Sequence, residues 1–447
     1  MDAGHSLHGQ FWLAGQGSRQ LEGTLHLAKE AAPTLRTVGA LTSMMSTPVA
    51  KVGPDGSTFF ESHFDPDNTL RTIHGETDDG KALTLLETQN QAYSGGVSPD
   101  EQGELRRASH VVLGAHLSGR DHRFTAARAR LQTVHGAITA AHSPSWGSPV
   151  TLANGGVLSL DESPADTWLV LRELPEASIR AIDRTYLRPL TSLMSLANGE
   201  PVGVLGLEVS DEEGGPWFRV HSQSHLSSDA PWPSHALLQG TDIGSDVVAH
   251  WLDQVDVFGP LPPVVARGLP GAISLESRVL ELTTLAEGLH RRLRPNSQRY
   301  TKQVGDAIRD AAVAAASAVE ETSKSAVNGL LAHVHEPGYG QRLRELAEMA
   351  EDVARGVAGR PGRLGKWKNM AYDARNDYAH RANFGWLEDA DIDRYLTTAL
   401  SMQWLLRAVM LSQAGFPSGL LATRFAHHEQ FGLFLEQAQG WQPDIYM

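Results

Sequence analysis

The residue pattern with the clearest chemical use is Met370-Ala-Tyr-Asp-Ala-Arg-Asn-Asp-Tyr-Ala-His-Arg381. Four residues separate Arg375 from His380, with Asn376 directly after the arginine. Such a pair suits RNA cleavage without a metal. An imidazole of near-neutral pKa takes the proton from a ribose 2′-hydroxyl. A guanidinium holds the phosphate through two donors while negative charge builds on it. On a helix Asn376 and His380 share one face, so Asn376 can orient the imidazole or the phosphate. Arg375 lies about 100° further round and reaches that site only from a helix end or across a subunit contact. Asp377 and Tyr378, between the pair, are supporting candidates.

Spacing alone is weak evidence. With 31 Arg and 20 His in the chain, an Arg followed at this range by His recurs by chance about four times. Arg19/His26, Arg128/His135, Arg130/His135 and Arg219/His225 all match, and none has Asn after the Arg. The ordinary reading of Arg375 and His380 is a solvated helix end with an incidental histidine. A second feature runs directly into the motif. Arg355, Arg360, Arg363, Lys366 and Lys368 occur with no acid between Val353 and Tyr372, and Trp367 lies between the two lysines. Cations interleaved with an aromatic suit a phosphate backbone and a stacked base, which makes Arg363, Lys366, Trp367, Lys368 and Arg381 RNA-binding candidates. The plain alternative is a Gly-rich solvated loop with Trp367 in the core.

Other constellations carry less. His333/His335/Glu336 and His427/His428/Glu429 lack the helical spacing and third ligand of a metal site, so neither a metal nor another cofactor is expected. Glu281 and Glu287 read as exposed charges on a helix. No Walker A loop, dinucleotide-binding glycine motif or serine-hydrolase elbow occurs, which leaves an ATPase, a Rossmann dehydrogenase and an α/β-hydrolase without support.

The elements that would position these residues fall into two regions. Up to about residue 145 the chain reads as β-rich, with runs Gln10–Leu13, Gly23–Leu27, Leu83–Glu87 and His110–Leu117 broken by turns such as Pro54-Asp55-Gly56 and Asp78-Asp79-Gly80. Residues 146 to 265 are mixed. Strands are expected at Thr167–Glu173 and Val202–Val209, a short helix at Ile243–Val255, and a helix over Ala177–Leu196 that Pro189 should kink. Phe258 to Gly271 holds four prolines and three glycines, a composition that should break any regular element. Beyond it the periodicity is helical. Leu275, Val279, Leu282, Leu285 and Leu289 line one face of a helix. Further helices are expected over Asn296–Leu331, around Leu343–Val353, over Lys366–Ala382, over Asp389–Ala414 and over Ser418–Phe434. In the helix over Asp389–Ala414, Ile392, Tyr395, Leu396, Ala399, Trp404 and Leu405 should point inward.

The fold class is therefore a multidomain α+β chain: a β-rich or mixed region over 1–265, with a sub-boundary near 145, followed by an all-α helical bundle over 270–447. A length of 447 residues suits two or three domains. Zero Cys excludes disulfides, thiol catalysis and Cys-ligated metal, and fits a reducing cytosol. The opening residues carry no basic and apolar leader, and no apolar run is long enough for a membrane span, so a cytoplasmic protein is expected. The net charge of −14 is uneven: −13 over residues 1–270 against −1 over 271–447. The N-terminal part is thus a poor nucleic-acid binder on charge alone.

An Arg-x4–6-His motif with a polar residue after the Arg, in a helical domain, resembles the HEPN family of ribonucleases. More narrowly, the chain resembles ApeA-type anti-phage proteins. Gly9-Gln-Phe-Trp-Leu13, Leu21-Glu-Gly-Thr-Leu25, Ile73-His-Gly-Glu-Thr77 and Gly80-Lys-Ala-Leu-Thr-Leu85 follow the course of ApeA N-terminal domains. One departure is Val134-His135, near which the pattern calls for Trp. The resemblance covers most of the chain, and residues 145–265 match in general character. It implies a metal-independent HEPN endoribonuclease in abortive-infection defence, acting on host or phage RNA, tRNA among the candidates, when infection triggers it. It further implies a homodimer or higher even oligomer, a phage-derived trigger of unknown nature, no membrane, and an acid sometimes drawn from the first bundle helix. Two competing readings are a non-catalytic HEPN sensor, scaffold or antitoxin-like module, and a ligand-binding β-protein with a helical tail.

Overall fold

The computed structural model describes residues 5–28, 30–41, 49–52, 58–61, 70–95, 102–132, 146, 148–162, 167–212, 214–225, 235–266, 274–380 and 388–447. The turn at Pro54-Asp55-Gly56, Val134-His135 and Arg381 lie outside them. The N-terminal region is sheet-rich and the C-terminal region helical. Two compact units result: Met1–Thr191 with Val202–Trp232 and Gly240–Asp253, and Ser192–Pro201 with Pro233–Gln239 and Gln254–Met447.

The strands of the first unit are β1 (His5–Leu13), β2 (Leu21–Leu27), β3 (Thr34–Thr37), β4 (Val49–Val52), β5 (Thr58–Glu61), β6 (Arg71–Thr77), β7 (Ala82–Gly95) and β8 (Gln102–Arg107). They continue with β9 (His110–Leu113), β10 (Ala126–Leu131), β11 (Val150–Thr151), β12 (Val157–Glu162), β13 (Thr167–Arg172), β14 (Val204–Ser210) and β15 (Phe218–Ser222). The long strand β7 bonds β6 along one edge. Its other edge bonds β9 first and β8 further on. Because β8 pairs β3, β3 pairs β2, β2 pairs β1 and β1 pairs β6, six strands close into a barrel. From β9 the sheet runs on as β15-β14-β10-β13-β12-β11.

Phe11, Leu25, Leu35, Ile73, Leu83, Leu85 and Val111 fill the barrel and are wholly buried. The alternating pattern of β1 puts Phe11 inside and Trp12 on the other face, in a T-shaped contact with His116 at a centroid separation of 5.2 Å. Glycines flank the phenyl ring. A Cβ at Gly23 would lie 2.9 Å from the Phe11 ring, and one at Gly75 would lie 2.7 Å from it. Thr77 Oγ1 accepts from the Lys81 amide at 3.0 Å and fixes the Asp78-Asp79-Gly80 turn.

Helix α1 (Ile179–Ile182) passes through a π-helical turn, Asp183–Leu187, into α2 (Arg188–Asn198). Pro189 lacks an N–H, and its ring disfavours the ordinary turn before it, so the kink expected there takes the form of a π-turn. Gly199, at φ +90°, ends α2 in the left-handed conformation.

After α3 (Ser245–Asp253) come two short helices, α4 (Val255–Phe258) and α5 (Leu261–Ala266). The proline-rich stretch expected to lack structure is thus partly helical, because Pro262 and Pro263 fall in the first turn of α5, where no intrahelical N–H is needed. The bundle follows as α6 (Leu275–Leu293), α7 (Lys302–Val319), α8 (Ser323–Leu330), α9 (Tyr339–Ala350), α10 (Leu364–His380), α11 (Asp389–Gln413), α12 (Ser418–His427), α13 (Glu429–Trp441) and α14 (Pro443–Tyr446). The central helix α11 is buried on nearly every side from Thr397 to Leu411. Its first turn precedes that packed stretch, so Ile392, expected inward, is 36 % exposed.

Two expected helices are pairs. Asn296–Leu331 becomes α7 and α8, divided at Glu320–Thr322, and Gly305 is the sole buried residue of α7 while α8 has none. Ser418–Phe434 breaks at His428, whose Nδ1 accepts from the Phe431 amide at 3.2 Å and caps α13. Arg407 on α11 is buried over the Trp404 ring, and its Nε donates to the Leu196 carbonyl at 2.5 Å, in the last turn of α2. Burial holds this guanidinium down at about 9.

Candidate functional site

Helix α10 carries the Arg-Asn-Asp-Tyr-Ala-His motif. Trp367, Met370, Ala371 and Ala374 recur on one helical face and are buried. That face packs on α6, α9 and α11. Trp367 is fully buried, and its Nε1 donates to Ser401 Oγ on α11 at 3.1 Å. The indole is therefore a core anchor of α10 and offers no face to a base, which corrects its reading as an RNA-stacking residue.

Arg375 follows Ala374 at the edge of this buried face. Its guanidinium sits 4.3 Å over the Tyr339 ring and 3.0 Å from Glu287 Oε2. The Arg375 side chain is 26 % exposed and that of Glu287 24 %. Tyr339, the first residue of α9, donates its hydroxyl to the Thr283 carbonyl on α6 at 3.2 Å. Burial pushes the Tyr339 phenol well above its ordinary range, so it stays neutral and presents an uncharged π-face to the arginine.

A chain of alternating charges continues from Glu287. Its Oε1 meets Arg291 at 3.1 Å, and Arg291 meets Glu336 at 2.8 Å. Glu336 also takes His333 at 2.8 Å and Arg342 at 3.2 Å. Burial alone would raise the Glu336 carboxyl, but hydrogen bonds from Arg291 and His333 hold it below the usual carboxylate range. Arg342 Nη1 lies 3.2 Å from His290 Nδ1, and His290 Nε2 lies 2.7 Å from Glu345 Oε2. Arginine can only donate, so His290 Nδ1 accepts and its proton resides on Nε2. Burial lowers the His290 pKa against the opposing pull of Glu345, which agrees with a neutral ring.

The remaining candidates are placed as follows. Asn376 is half-buried on α10. Asp377 is bound to Arg394 of α11 at 2.7 Å, and Arg394 also meets Asp391 at 2.8 Å, so this carboxylate ties the end of α10 to the central helix. His380 is the last residue of α10, and the side chains of Tyr378 and His380 are outside the described residues. Arg363 and Lys366 are exposed, and Lys368 is half-buried. The acid-free stretch of sequence is not acid-free in space: Lys366 Nζ lies 3.7 Å from Asp444, and Arg360 donates to the Met447 carbonyl.

Two arginines of the competing Arg…His pairs have structural partners. Arg19 donates to the Ala40 carbonyl at 2.8 Å. Arg128 donates through Nε to Glu208 at 2.7 Å, with the Trp168 and Trp217 ring centroids 4.9 and 4.8 Å from its guanidinium carbon. His225, the partner of Arg219, is buried. Glu287 was visible in the sequence as a helix charge. Tyr339 carried no signal, since nothing in its spacing relates it to Arg375 across thirty-six residues. Among the described residues no group of three His, Asp or Glu side chains is placed to hold a metal ion, and no described helix is long and apolar enough to cross a membrane.

Two family models match. Residues 6–134 match ApeA N-terminal domain 1, and residues 280–420 match Apea-like HEPN. The first span contains the barrel with Gly9, Phe11, Gly23 and Gly75. The second contains Glu287, Tyr339 and the whole Arg375–His380 motif. No curated protein and no solved structure matches the chain. Through these two segments the chain belongs with proteins that place an ApeA N-terminal domain ahead of an Apea-like HEPN domain.

Proposed function

We propose that the chain is an RNA endonuclease of anti-phage defence, with residues 270–447 as the nuclease and residues 1–265 as the region that restrains or triggers it. The observation that supports this best is Arg375, held between the Tyr339 ring and the Glu287 carboxylate at 4.3 and 3.0 Å, within the segment that matches Apea-like HEPN. In the proposed reaction a 2′-hydroxyl attacks the adjacent phosphorus and gives its proton to His380. The P–O5′ bond breaks, the 5′-oxygen takes a proton from water, and a 2′,3′-cyclic phosphate remains. Arg375 balances the charge that builds on the phosphate oxygens, and Asn376 orients the imidazole or the phosphate. Two motifs facing one cleft across a homodimer would complete the site, because Arg375 and His380 are too far apart around one helix to close on a single phosphate. The cytoplasm is the proposed location.

The test is incubation of the purified full chain with total RNA, beside His380→Ala and Arg375→Ala. Cleavage by the wild type in excess EDTA, with cyclic-phosphate or 3′-phosphate ends and no cutting of DNA, is expected. Both variants should be inactive and should not protect cells from phage. Protection by His380→Ala would overturn the nuclease reading in favour of a sensor or scaffold.

A further inference from the structure

The first unit holds a pocket of about 1080 Å³ that the ribonuclease reading does not use. It opens where β7 changes partner from β9 to β8. At that point Leu86 and Glu87 together face the single residue Thr72 of β6, a β-bulge. Glu87, at φ +53°, sits in the left-handed region that a non-glycine residue rarely adopts. Bulges of this kind re-aim a side chain. Glu87 lines the pocket and is 6 % exposed, with Ser109 Oγ donating to its Oε2 at 2.9 Å and Arg180 at 2.5 Å. Its Oε1 is buried with no hydrogen-bond partner among the described residues.

The rest of the lining carries more cations than acids. Five arginines, at 107, 123, 180, 184 and 188, face three carboxylates, Glu87, Asp121 and Asp183. Arg180 is spent on Glu87 and Arg188 on Asp183, at 2.5 and 2.8 Å, while Asp121 meets Arg120 outside the pocket lining at 3.7 Å. Arg107, Arg123 and Arg184 have no carboxylate partner among the described residues, and all three are exposed. Among the described residues, then, three guanidiniums without a carboxylate share one concavity, in a region whose net charge is −13. Guanidinium groups bind phosphate oxygens through paired donors. Ser178 and Ser222 add groups suited to hydroxyls, Gln223 Oε1 accepts from Arg107, and among the described residues no Phe, Tyr or Trp lines the pocket to stack a base.

We infer that this pocket binds a small ligand carrying two or more phosphates, with Arg107, Arg123 and Arg184 on the phosphates and Glu87 taking a hydroxyl donor at the floor. The phosphates can belong to a phosphorylated polyol or to the tail of a nucleotide. The inference is independent of the ribonuclease reading, since it concerns neither α10 nor its partners.

Isothermal titration calorimetry of the full chain tests it, with inorganic triphosphate, ATP and inositol hexakisphosphate as titrants and adenosine and inositol as neutral controls. Saturable binding of the phosphorylated compounds and none of the neutral ones is expected. Tighter binding of ATP than of triphosphate assigns a nucleotide, and tighter binding of inositol hexakisphosphate assigns a polyol. Arg107→Gln with Arg184→Gln, both at exposed positions, should weaken binding about 10- to 100-fold with an unchanged melting temperature. Glu87→Gln should tighten it, because it removes a negative charge and releases Arg180, a gain that a purely structural role would not produce. Arg309→Gln, on α7, is the control that leaves binding as it is. No binding by any phosphorylated titrant, equal affinity in the double variant, or binding of only a 2′-O-methylated single-stranded RNA would each overturn the inference.

Discussion

Replacing Glu287 by Gln tests whether Arg375 is positioned or merely present. The side chains have nearly the same shape, so the change removes a charge and leaves the packing. At 3.0 Å the pair with Arg375 is worth about 5–6 kcal/mol gross at an effective dielectric of 20. Both partners are about a quarter exposed, and water and salt reduce such pairs to about 1 kcal/mol or less in double-mutant cycles. The bond to Arg291 at 3.1 Å, which is half exposed, adds a few tenths. Glu287→Gln should therefore cost about 1 kcal/mol and lower the melting temperature by about 2–4 °C. A cycle of Glu287→Gln, Arg375→Gln and the double variant, followed by helical circular dichroism in denaturant, should give a coupling of about 1 kcal/mol at low salt. The coupling should shrink in molar salt. On the proposed reaction, Glu287→Gln should lower kcat about 10-fold, since Arg375 keeps only the Tyr339 face as a guide. A coupling below about 0.2 kcal/mol together with an unchanged kcat would refute the positioning argument.

Further outcomes are expected elsewhere in the molecule. Burial first, then the Arg407 charge, holds His428 down at about 4. Because its folded value lies under the ordinary 6.5, its stabilisation is complete above pH 6.5 and is lost as pH falls towards 4, to the extent of about 3 kcal/mol. Thermal melts across that window should fall more steeply for the wild type than for His428→Asn, which keeps a capping acceptor and cannot titrate. Arg407→Met should cost about 2–4 kcal/mol in denaturant unfolding, since the Leu196 carbonyl loses its donor. Trp367→Ala should cost about 3–5 kcal/mol. Arg363→Ala and Lys366→Ala should stay within about 0.5 kcal/mol of wild type, while RNA binding measured by filter retention falls.

The sequence exposed what depends on local pattern. Alternation found β2 to within two residues and the cores of β1 and β7, which run on to His5 and to Gly95, and helical periodicity found α6, α10 and α11 to within a few residues. What it missed depends on partners. Barrel closure requires β7 to divide one edge between β9 and β8, which no alternation encodes. The division of α7 from α8 at Glu320–Thr322, and the break at His428, occur in sequence that remains compatible with helix. Ile392 fits the apolar stripe of α11, but the bundle begins one turn later. In the site, the motif on α10 was legible because it is contiguous. Glu287 was visible as a charge on the helix from which the resemblance allows an acid to be drawn, but not as the partner of Arg375, and Tyr339 not at all, since both reach Arg375 from other helices. Trp367 looked like a base platform because its neighbours in sequence are cations, yet helical rotation turns it to the opposite side.

The phenyl ring of Phe11 and the glycines beside it have a bearing on how such chains diverge. The atoms nearest an alanine at Gly75 would be side-chain ones, the Phe11 ring at 2.7 Å and a Leu83 methyl at 2.8 Å, whereas alanine at Gly23 also meets the Arg36 carbonyl at 2.9 Å. Position 75 can therefore gain a methyl group once Phe11 has shrunk to Leu, and position 23 cannot gain one so easily. Substitutions at 11 and 75 are conditional on each other: each is harmful alone, through a void or a clash, and milder together. Gly9 has no such escape, because a Cβ there would sit 2.1 Å from the backbone oxygen of Glu76. Drift at this end of the barrel is thus ordered in time, with the ring changing before the glycine at 75, and with Gly9 fixed for as long as β1 pairs with β6.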